Sequence, residues 1–65
     1  MKRLEELRKD RGVTKAAVQR MLGVSRPTYD RYELYPGEMR AKDLDLVCDF
    51  LHIEKSDIFL ATEES

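Results

Sequence analysis

Two arginines near the middle of the chain are the side chains best suited to a specific recognition chemistry. Arg26 and Arg31 each carry a planar guanidinium that can donate two parallel hydrogen bonds, for example to O6 and N7 of a guanine base. If this segment is helical, residues 27, 30 and 31 share a face opposite Tyr29 and Tyr32. The spacing therefore predicts a helix that presents polar groups outward while its two tyrosines face a core.

The basic side chains are concentrated in the first half of the chain. Residues 1–31 contain nine basic and four acidic residues, a net charge of +5, whereas residues 32–65 contain three basic and nine acidic residues, a net charge of −6. The two halves add up to the net charge of −1. This asymmetry predicts a cationic side and an anionic side, and the alternative is a solvated surface with uneven patterning. A cationic side suits a polyanion such as nucleic acid.

The residue types and spacings of the sequence do not match a catalytic or metal site. Cys48 and His52 are four residues apart, but metal sites need about four ligands and the chain has one Cys and one His. We therefore expect no metal and no cofactor, with Cys48 in the core and His52 at a helix end. The sequence has neither the spacing of a nucleophile–histidine site nor a Gly-rich phosphate loop, so we expect no enzymatic activity.

Length and composition restrict the architecture. The 65 residues are predicted to form one domain, 1–65, and a domain of this size buries only about 60% of its unfolded surface. A single cysteine cannot form an internal disulfide, so close helix packing or dimerisation must supply the stability. No apolar run approaches the roughly 20 residues of a membrane span, so we expect a cytoplasmic protein with no membrane contact.

Apolar residues recur at helical spacing in the first half, and glycines separate the segments. Gly12 is expected to close a first helix and Gly23 a second, for which Thr14 is a good N-cap. Ser25 is the predicted N-cap of a third helix. We expect that helix to start at Pro27, because proline disfavours α geometry at the residue before it.

The second half is predicted to contain a loop and two further helices. A Pro-Gly pair indicates a loop at residues 34–40, and a fourth helix is expected from Ala41. A short fifth helix is expected over residues 54–60, and residues 61–65 are expected to fray. The fold class is therefore all-α, a compact domain of five short helices. The solvated anionic face of the fourth helix is predicted to comprise Asp43, Asp45 and Asp49.

Two short helices joined by residues 22–25, with a glycine in the turn, are predicted to cross near a right angle, as in a helix-turn-helix. The sequence here resembles the phage repressor and Cro type of helix-turn-helix, the XRE family. The motifs that carry the resemblance are Leu7-Arg8-Lys9-Asp10-Arg11-Gly12-Val13-Thr14, Met21-Leu22-Gly23-Val24-Ser25-Arg26-Pro27-Thr28-Tyr29 and Arg31-Tyr32-Glu33. Residues 39–59 resemble the family's last two helices, so the resemblance covers nearly the whole chain. It implies a lambda-repressor-like DNA-binding domain with its helix-turn-helix core at about residues 14–33.

The resemblance also implies roles for individual residues. The exposed face of the third helix reads bases in this family, and in this sequence that face carries Arg26, Pro27, Asp30 and Arg31. The positions that match phosphate contacts of relatives are Lys15, Thr28, Tyr35, Gly37 and Arg40. A largely buried ion pair between the first and third helices of relatives is matched by Arg8 and Glu33, which implies a structural role for this pair.

The apolar residues near the C-terminus exceed what one small core can cover. Neighbours in a helix are about 100° apart, so Ile58, Phe59 and Leu60 cannot all face inward from the predicted fifth helix. Leu46 and Phe50 form a second such stripe on the fourth helix. Relatives of this length pair through the last helix and the tail, so these five residues are the predicted homodimer interface. The alternative is a monomer in which several of them pack internally.

Together these features predict a sequence-specific transcription regulator that binds double-stranded DNA. It would be a bacterial or phage repressor, associated with the nucleoid, that binds a palindromic operator as a homodimer with the third helix in the major groove. The alternative from another class is a protein-interaction module such as an antitoxin. In that case the acidic and apolar segment 41–60 binds a protein partner, and DNA binding is secondary.

Overall fold

Four α-helices and two 3₁₀ turns form the domain in the computed structural model, which describes residues 1–63. The elements in chain order are α1 (Leu4–Asp10), α2 (Lys15–Leu22), α3 (Arg26–Leu34), a 3₁₀ turn (Pro36–Glu38), α4 (Ala41–Leu51) and a second 3₁₀ turn (Lys55–Asp57). The predicted all-α class is confirmed. Within residues 1–63 the only β pairing is one isolated parallel bridge between Lys2 and Ile58. None of the helices described is long and apolar enough to cross a membrane.

The two central helices begin at the predicted capping residues. Thr14 Oγ1 accepts a hydrogen bond from the Ala17 N–H at 3.2 Å, and Ser25 Oγ accepts one from the Thr28 N–H at 3.4 Å. Each cap satisfies a backbone donor that has no partner within its own helix. α3 begins at Arg26, one residue earlier than expected, because the following proline is tolerated within the first turn of a helix.

Residues in the left-handed conformation follow three of the helices. Gly12 has a φ of +69° after α1, Gly23 has a φ of +70° after α2, and His52 has a φ of +55° after α4. The two glycines adopt this conformation without steric cost, whereas His52 is the one non-glycine residue among those described that does so. The predicted ends of α2 and α4 are therefore confirmed.

The apolar core lies between the helices and fixes the orientation of α3. It comprises Leu4, Val18, Tyr29, Met39, Val47 and Leu51, with a second cluster formed by Leu7, Cys48 and Ile58. Tyr29 is completely buried. Because this large side chain anchors the inner face of α3, the opposite face of the helix is turned toward solvent.

The predicted fifth helix is replaced by one 3₁₀ turn and an extended segment. Lys2 N–H donates to the Asp57 carbonyl at 2.9 Å, and Phe59 N–H donates to the Lys2 carbonyl at 2.8 Å. These bonds draw the chain into the bridge with the N-terminal residues, so the prediction of a helix over residues 54–60, and of five helices, is wrong. A helix this short is only marginally stable by itself, so the pairing with Lys2 can replace it.

The extended backbone changes the assignment of the three consecutive apolar residues. Successive side chains of an extended chain point in opposite directions, and Ile58 is 1% exposed whereas Phe59 is 47% exposed. Ile58 packs with Leu7 and Cys48, so its predicted place in a dimer interface is wrong. The remaining residues of that prediction are between 41% and 47% exposed: Leu46, Phe50, Phe59 and Leu60.

Residues 61–63 are held against the start of the loop after α3. Gly37 N–H donates to the Ala61 carbonyl at 2.9 Å, and Glu63 N–H donates to the Glu38 carboxylate at 2.9 Å. Residues 61–63 of the tail that is predicted to fray thus make hydrogen bonds to the turn after α3, and fraying of this tail stays a prediction. Glu64 and Ser65, the rest of the predicted tail, lie outside the described residues.

One member of the predicted anionic face is buried. Asp43 is 2% exposed, and its Oδ2 accepts a hydrogen bond from the Tyr32 hydroxyl at 3.5 Å and lies 3.6 Å from Arg40 Nε. The prediction that Asp43 is solvated is thus wrong, because its position in the first turn of α4 faces the neighbouring helix α3. Asp45 and Asp49 are exposed as predicted.

Candidate nucleic-acid interface

The helix-turn-helix unit consists of α2, the three residues 23–25 and α3. On the inner face of α3, Tyr29 and Glu33 are buried. On the outer face, Arg26, Pro27 and Arg31 are exposed and Asp30 is half-buried. The four residues predicted to read bases thus share the solvent side of α3, as their spacing indicated.

The first half of α3 carries a small ion-pair network. Asp30 Oδ1 lies 3.2 Å from Arg26 Nε and 3.3 Å from Lys15 Nζ, so one carboxylate joins two cations from α2 and α3. Partial burial raises the pKa of Asp30, but the hydrogen bonds from Lys15 and Arg26 outweigh it and leave this pKa below its ordinary value. Asp30 is therefore ionised near neutral pH and neutralises part of the positive charge of Arg26 and Lys15.

The second half of α3 is dominated by Arg31. Its Nε donates to Glu38 Oε1 at 2.9 Å and its Nη2 donates to Glu38 Oε2 at 3.4 Å, while Nη2 also donates to the Glu63 carboxylate. The guanidinium carbon lies 5.2 Å from the centre of the Tyr35 ring, in the range of a cation–π contact. The Glu63 hydrogen bond, followed by that from Glu38, raises the pKa of Arg31.

The predicted phosphate-contacting residues lie around this helix and differ in the contacts that they make within the domain. Thr28 Oγ1 accepts a hydrogen bond from Ser25 Oγ at 2.9 Å, and the Gly37 N–H is engaged by the Ala61 carbonyl. A Cβ atom on Gly37 would lie 2.8 Å from the Leu60 carbonyl oxygen, so a side chain does not fit there while residues 60–62 are in place. Arg40 is exposed and lies near Asp43.

Every cation predicted to contact DNA is also in an ion pair within the domain. Arg26 and Lys15 share Asp30, and the remaining two, Arg31 and Arg40, pair with Glu38, Glu63 and Asp43. Lys15 also lies 3.9 Å from Glu33, so the charge of each of these four cations is at least partly neutralised within the domain. Local sequence spacing does not reveal the role of Glu38 and Glu63, because the contacts of Glu63 depend on a distant backbone pairing.

The predicted ion pair between α1 and α3 is present and deeply buried. Arg8 Nε donates to Glu33 Oε2 at 2.7 Å, and the side chains of the pair are only 8% and 5% exposed. The Tyr29 hydroxyl donates to the same oxygen at 2.7 Å, and Arg8 Nη1 donates to the Val13 carbonyl at 2.8 Å. Burial, together with the hydrogen bond to Glu33, raises the pKa of Tyr29 far above its ordinary value. This cluster fixes α1 against α3.

The buried carboxylate has a second, weaker partner. Glu33 Oε1 makes no hydrogen bond and is shielded from solvent, and Lys15 Nζ lies 3.9 Å from it. Lys15 therefore contributes to the electrostatics of the buried cluster as well as to the surface network with Asp30. The residue that stands at a predicted phosphate position also connects α2 to α3.

No group of three or more potential metal ligands is found among residues 1–63. Cys48 is buried, and the burial raises the pKa of its thiol, which keeps it in the unreactive protonated form. His52 follows the last turn of α4 in the left-handed conformation. Both residues occupy the structural positions that the sequence indicated for them.

Comparison with known proteins agrees with this geometry. A family model described as helix-turn-helix matches residues 4–58, which include all four helices and both 3₁₀ turns. No curated protein and no solved structure matches the chain. Because the matched range covers most of the sequence and contains the α2–turn–α3 unit, the chain belongs to the helix-turn-helix family of DNA-binding domains of the XRE, or Cro/C1, type.

Proposed function

We propose that this DNA-binding domain is a transcription regulator that recognises a specific sequence in double-stranded DNA. The observation that carries the proposal is the division of α3 into a buried face anchored by Tyr29 and an exposed face with Arg26 and Arg31. A helix held in this way can enter the major groove while its arginines contact guanine edges. Each bidentate contact supplies about 1–3 kcal/mol of discrimination against the wrong base pair.

The regulator acts as a homodimer on a palindromic operator, in the cytoplasm and in association with the nucleoid. The exposed apolar side chains Leu46, Phe50, Phe59 and Leu60 support this part of the proposal, because a small domain gains stability by covering such residues. A two-fold dimer would hold its two α3 helices about 34 Å apart, one turn of DNA. Repression is the expected outcome, since an occupied operator excludes other proteins from the same DNA.

Selection from a randomised duplex library at about 150 mM salt tests the proposal, because binding through phosphates alone is suppressed at that salt concentration. The expected result is an enriched palindrome whose half-sites are about one turn apart. Enrichment of a single half-site would remove the dimer from the proposal. Recovery of no preferred sequence would remove sequence-specific recognition.

Two variants separate base reading from phosphate contact. Arg31→Ala should lose discrimination at particular base pairs of the selected site by about 1–3 kcal/mol. Lys15→Ala should weaken binding to all duplexes alike and reduce the slope of log K against log salt by about one unit. Both variants are first checked for the folded state, since Lys15 also lies near buried Glu33. Equal losses on every sequence for both variants would contradict the assigned roles.

A protein-interaction module such as an antitoxin is the second candidate. It is favoured by α4, where exposed Leu46 and Phe50 lie among the exposed acidic residues Asp45 and Asp49. The variants Phe59→Asp and Phe50→Asp distinguish the homodimeric regulator from the protein-interaction module. If they convert a dimer to a monomer in sedimentation, the apolar surface joins two copies of this chain. If the unmodified protein is already a monomer at high concentration, the homodimer is excluded and a different partner is sought.

A further inference from the structure

The guanidinium of Arg31 donates hydrogen bonds to two carboxylates from different parts of the chain. Glu38 accepts hydrogen bonds from Nε at 2.9 Å and from Nη2 at 3.4 Å, and Glu63 accepts a further one from Nη2. A guanidinium can donate two parallel hydrogen bonds to a base from either of two edges, Nε with Nη2 or Nη1 with Nη2. Glu38 covers the first edge, and Glu63 engages a donor of the second. Neither edge can make a complete bidentate contact with guanine while both carboxylates are in place.

Glu38 is anchored in the fold by more contacts than Glu63. Glu38 belongs to the 3₁₀ turn next to α3, its side chain is 27% exposed, and its Oε2 also accepts the Glu63 N–H at 2.9 Å. The Glu63 side chain is 60% exposed, and its segment is tied to the turn through the hydrogen bond from Gly37 N–H to the Ala61 carbonyl. Exposed ion pairs contribute little free energy, so the carboxylate at position 63 is the one that a competing ligand displaces.

We propose that the segment 61–63 is an internal competitor for DNA, in which Glu63 occupies the outer edge of Arg31 until a guanine replaces it. Glu38 stays in place and orients the guanidinium, so that the freed Nη1–Nη2 edge points into the groove. The inference rests on the proposed function, and it assigns opposite effects to two glutamates that touch the same arginine.

This arrangement couples the recognition of guanine to the release of Glu63. Apparent affinity scales with the fraction of molecules in which Glu63 is displaced, so the contact lowers the affinity for any duplex that needs the outer edge of Arg31. A duplex that presents guanine O6 and N7 to this edge replaces the one hydrogen bond lost from Glu63 with two. Removal of the carboxylate at position 63 should therefore tighten binding to such a duplex.

Three matched variants test the proposal, each removing one negative charge: Glu63→Gln, Glu38→Gln and Glu6→Gln. Glu6 is an exposed residue of α1 and controls for the change in net charge. Affinity is measured for the duplex obtained by selection and for a scrambled duplex of the same length and salt. Glu63→Gln should bind the selected duplex about two- to fivefold more tightly than the unmodified protein, beyond the change caused by Glu6→Gln. Glu38→Gln should bind the selected duplex more weakly, although it also makes the protein less acidic.

The opposite signs make the proposal falsifiable. If Glu63→Gln and Glu6→Gln change affinity equally, or if Glu38→Gln also tightens binding, only net charge matters and the internal competitor is excluded. The contact is checked without DNA by the NMR signal of the Arg31 Nε–H and the hydrogen exchange of the Glu63 amide. Glu38→Gln should shift the first and accelerate the second. If the contact is present but no duplex is bound specifically, the proposed function fails separately from the contact. Absence of the contact in the free protein would overturn the competitor itself.

Discussion

Two arginine–carboxylate clusters, both involving α3, use the same chemistry in opposite surroundings. Arg8 and Glu33 meet at 2.7 Å with side chains less than 10% exposed, and Tyr29 completes the cluster. Arg31 meets Glu38 at 2.9 Å with side chains 47% and 27% exposed, and Glu63 completes that cluster at the surface. The two clusters have similar hydrogen-bond lengths but differ in their exposure to water.

The difference in solvent access determines what each cluster can do. Removing one partner of the buried pair leaves an uncompensated charge in a medium that solvates it poorly, so the pair persists in every folded molecule. Removing a partner of the exposed cluster leaves a charge that water solvates, so the cluster can exchange carboxylates for other acceptors. α3 is thus fixed to the domain by one arginine while another remains exchangeable on its outer face.

The largest expected effect comes from breaking the buried cluster. Arg8→Ala should lower the free energy of unfolding by about 3–5 kcal/mol, because buried Glu33 then loses its hydrogen-bonded counter-charge and keeps only Lys15 at 3.9 Å. Arg31→Ala is the matched control and should change it by no more than about 1 kcal/mol. Urea unfolding followed by circular dichroism measures both. Similar losses for the two variants would show that burial does not distinguish the clusters.

A smaller effect is expected when only the neutral member of the buried cluster is changed. Tyr29→Phe keeps the ring in the core but removes the hydroxyl that donates to Glu33 at 2.7 Å, at a cost of about 1.5–3 kcal/mol. Tyr32→Phe removes a hydroxyl that lies 3.5 Å from Asp43, and it should cost less because that bond is longer. The same urea measurement applies. A larger loss for Tyr32→Phe would contradict the ranking.

These clusters also indicate how far the sequence alone could predict the molecule. The pairing of Arg8 with Glu33 and the caps of α2 and α3 at Thr14 and Ser25 were predicted, because spacing and family motifs carry that information. Caps depend on hydrogen bonds within three or four residues, which a linear pattern contains. The outward face of α3 follows from helical periodicity in the same way.

The features that the sequence did not predict correctly depend on contacts between distant parts of the chain. The extended course of Ile58 depends on hydrogen bonds with Lys2 at the other end of the chain, and the place of Glu63 depends on Gly37. Burial of Asp43 depends on how α4 packs beside α3. Such long-range pairings compete with local helical preference, and local spacing does not reveal which side prevails. The contacts that cover Arg31 were therefore the part of the candidate site that the sequence did not disclose.

Gly37→Ala should disturb the exposed cluster without any change in charge. The added Cβ would lie 2.8 Å from the Leu60 carbonyl oxygen and 2.8 Å from Thr62 Cγ2, so residues 60–62 must move away. We expect faster hydrogen exchange at the Glu63 amide, while the global free energy of unfolding changes by less than about 1 kcal/mol. An unchanged exchange rate would show that the segment adjusts without releasing Arg31.

The smallest expected effect is a response of the exposed cluster to acid. The hydrogen bond from the Glu63 N–H, aided by Arg31, holds the pKa of Glu38 below its ordinary value of 4.5 despite partial desolvation. A carboxylate whose pKa is lowered in the folded state stabilises the contact fully above 4.5, and this contribution is lost as the pH falls through the lowered value. The NMR signal of the amide at position 63 should follow this loss in the Glu63→Gln variant, where the backbone donor remains and Glu38 is the carboxylate that it contacts. Adding Glu38→Gln to this variant should abolish that acid transition while the signals of the buried Arg8 cluster remain in place. A transition that persists in the double variant would assign the acid response to a different group.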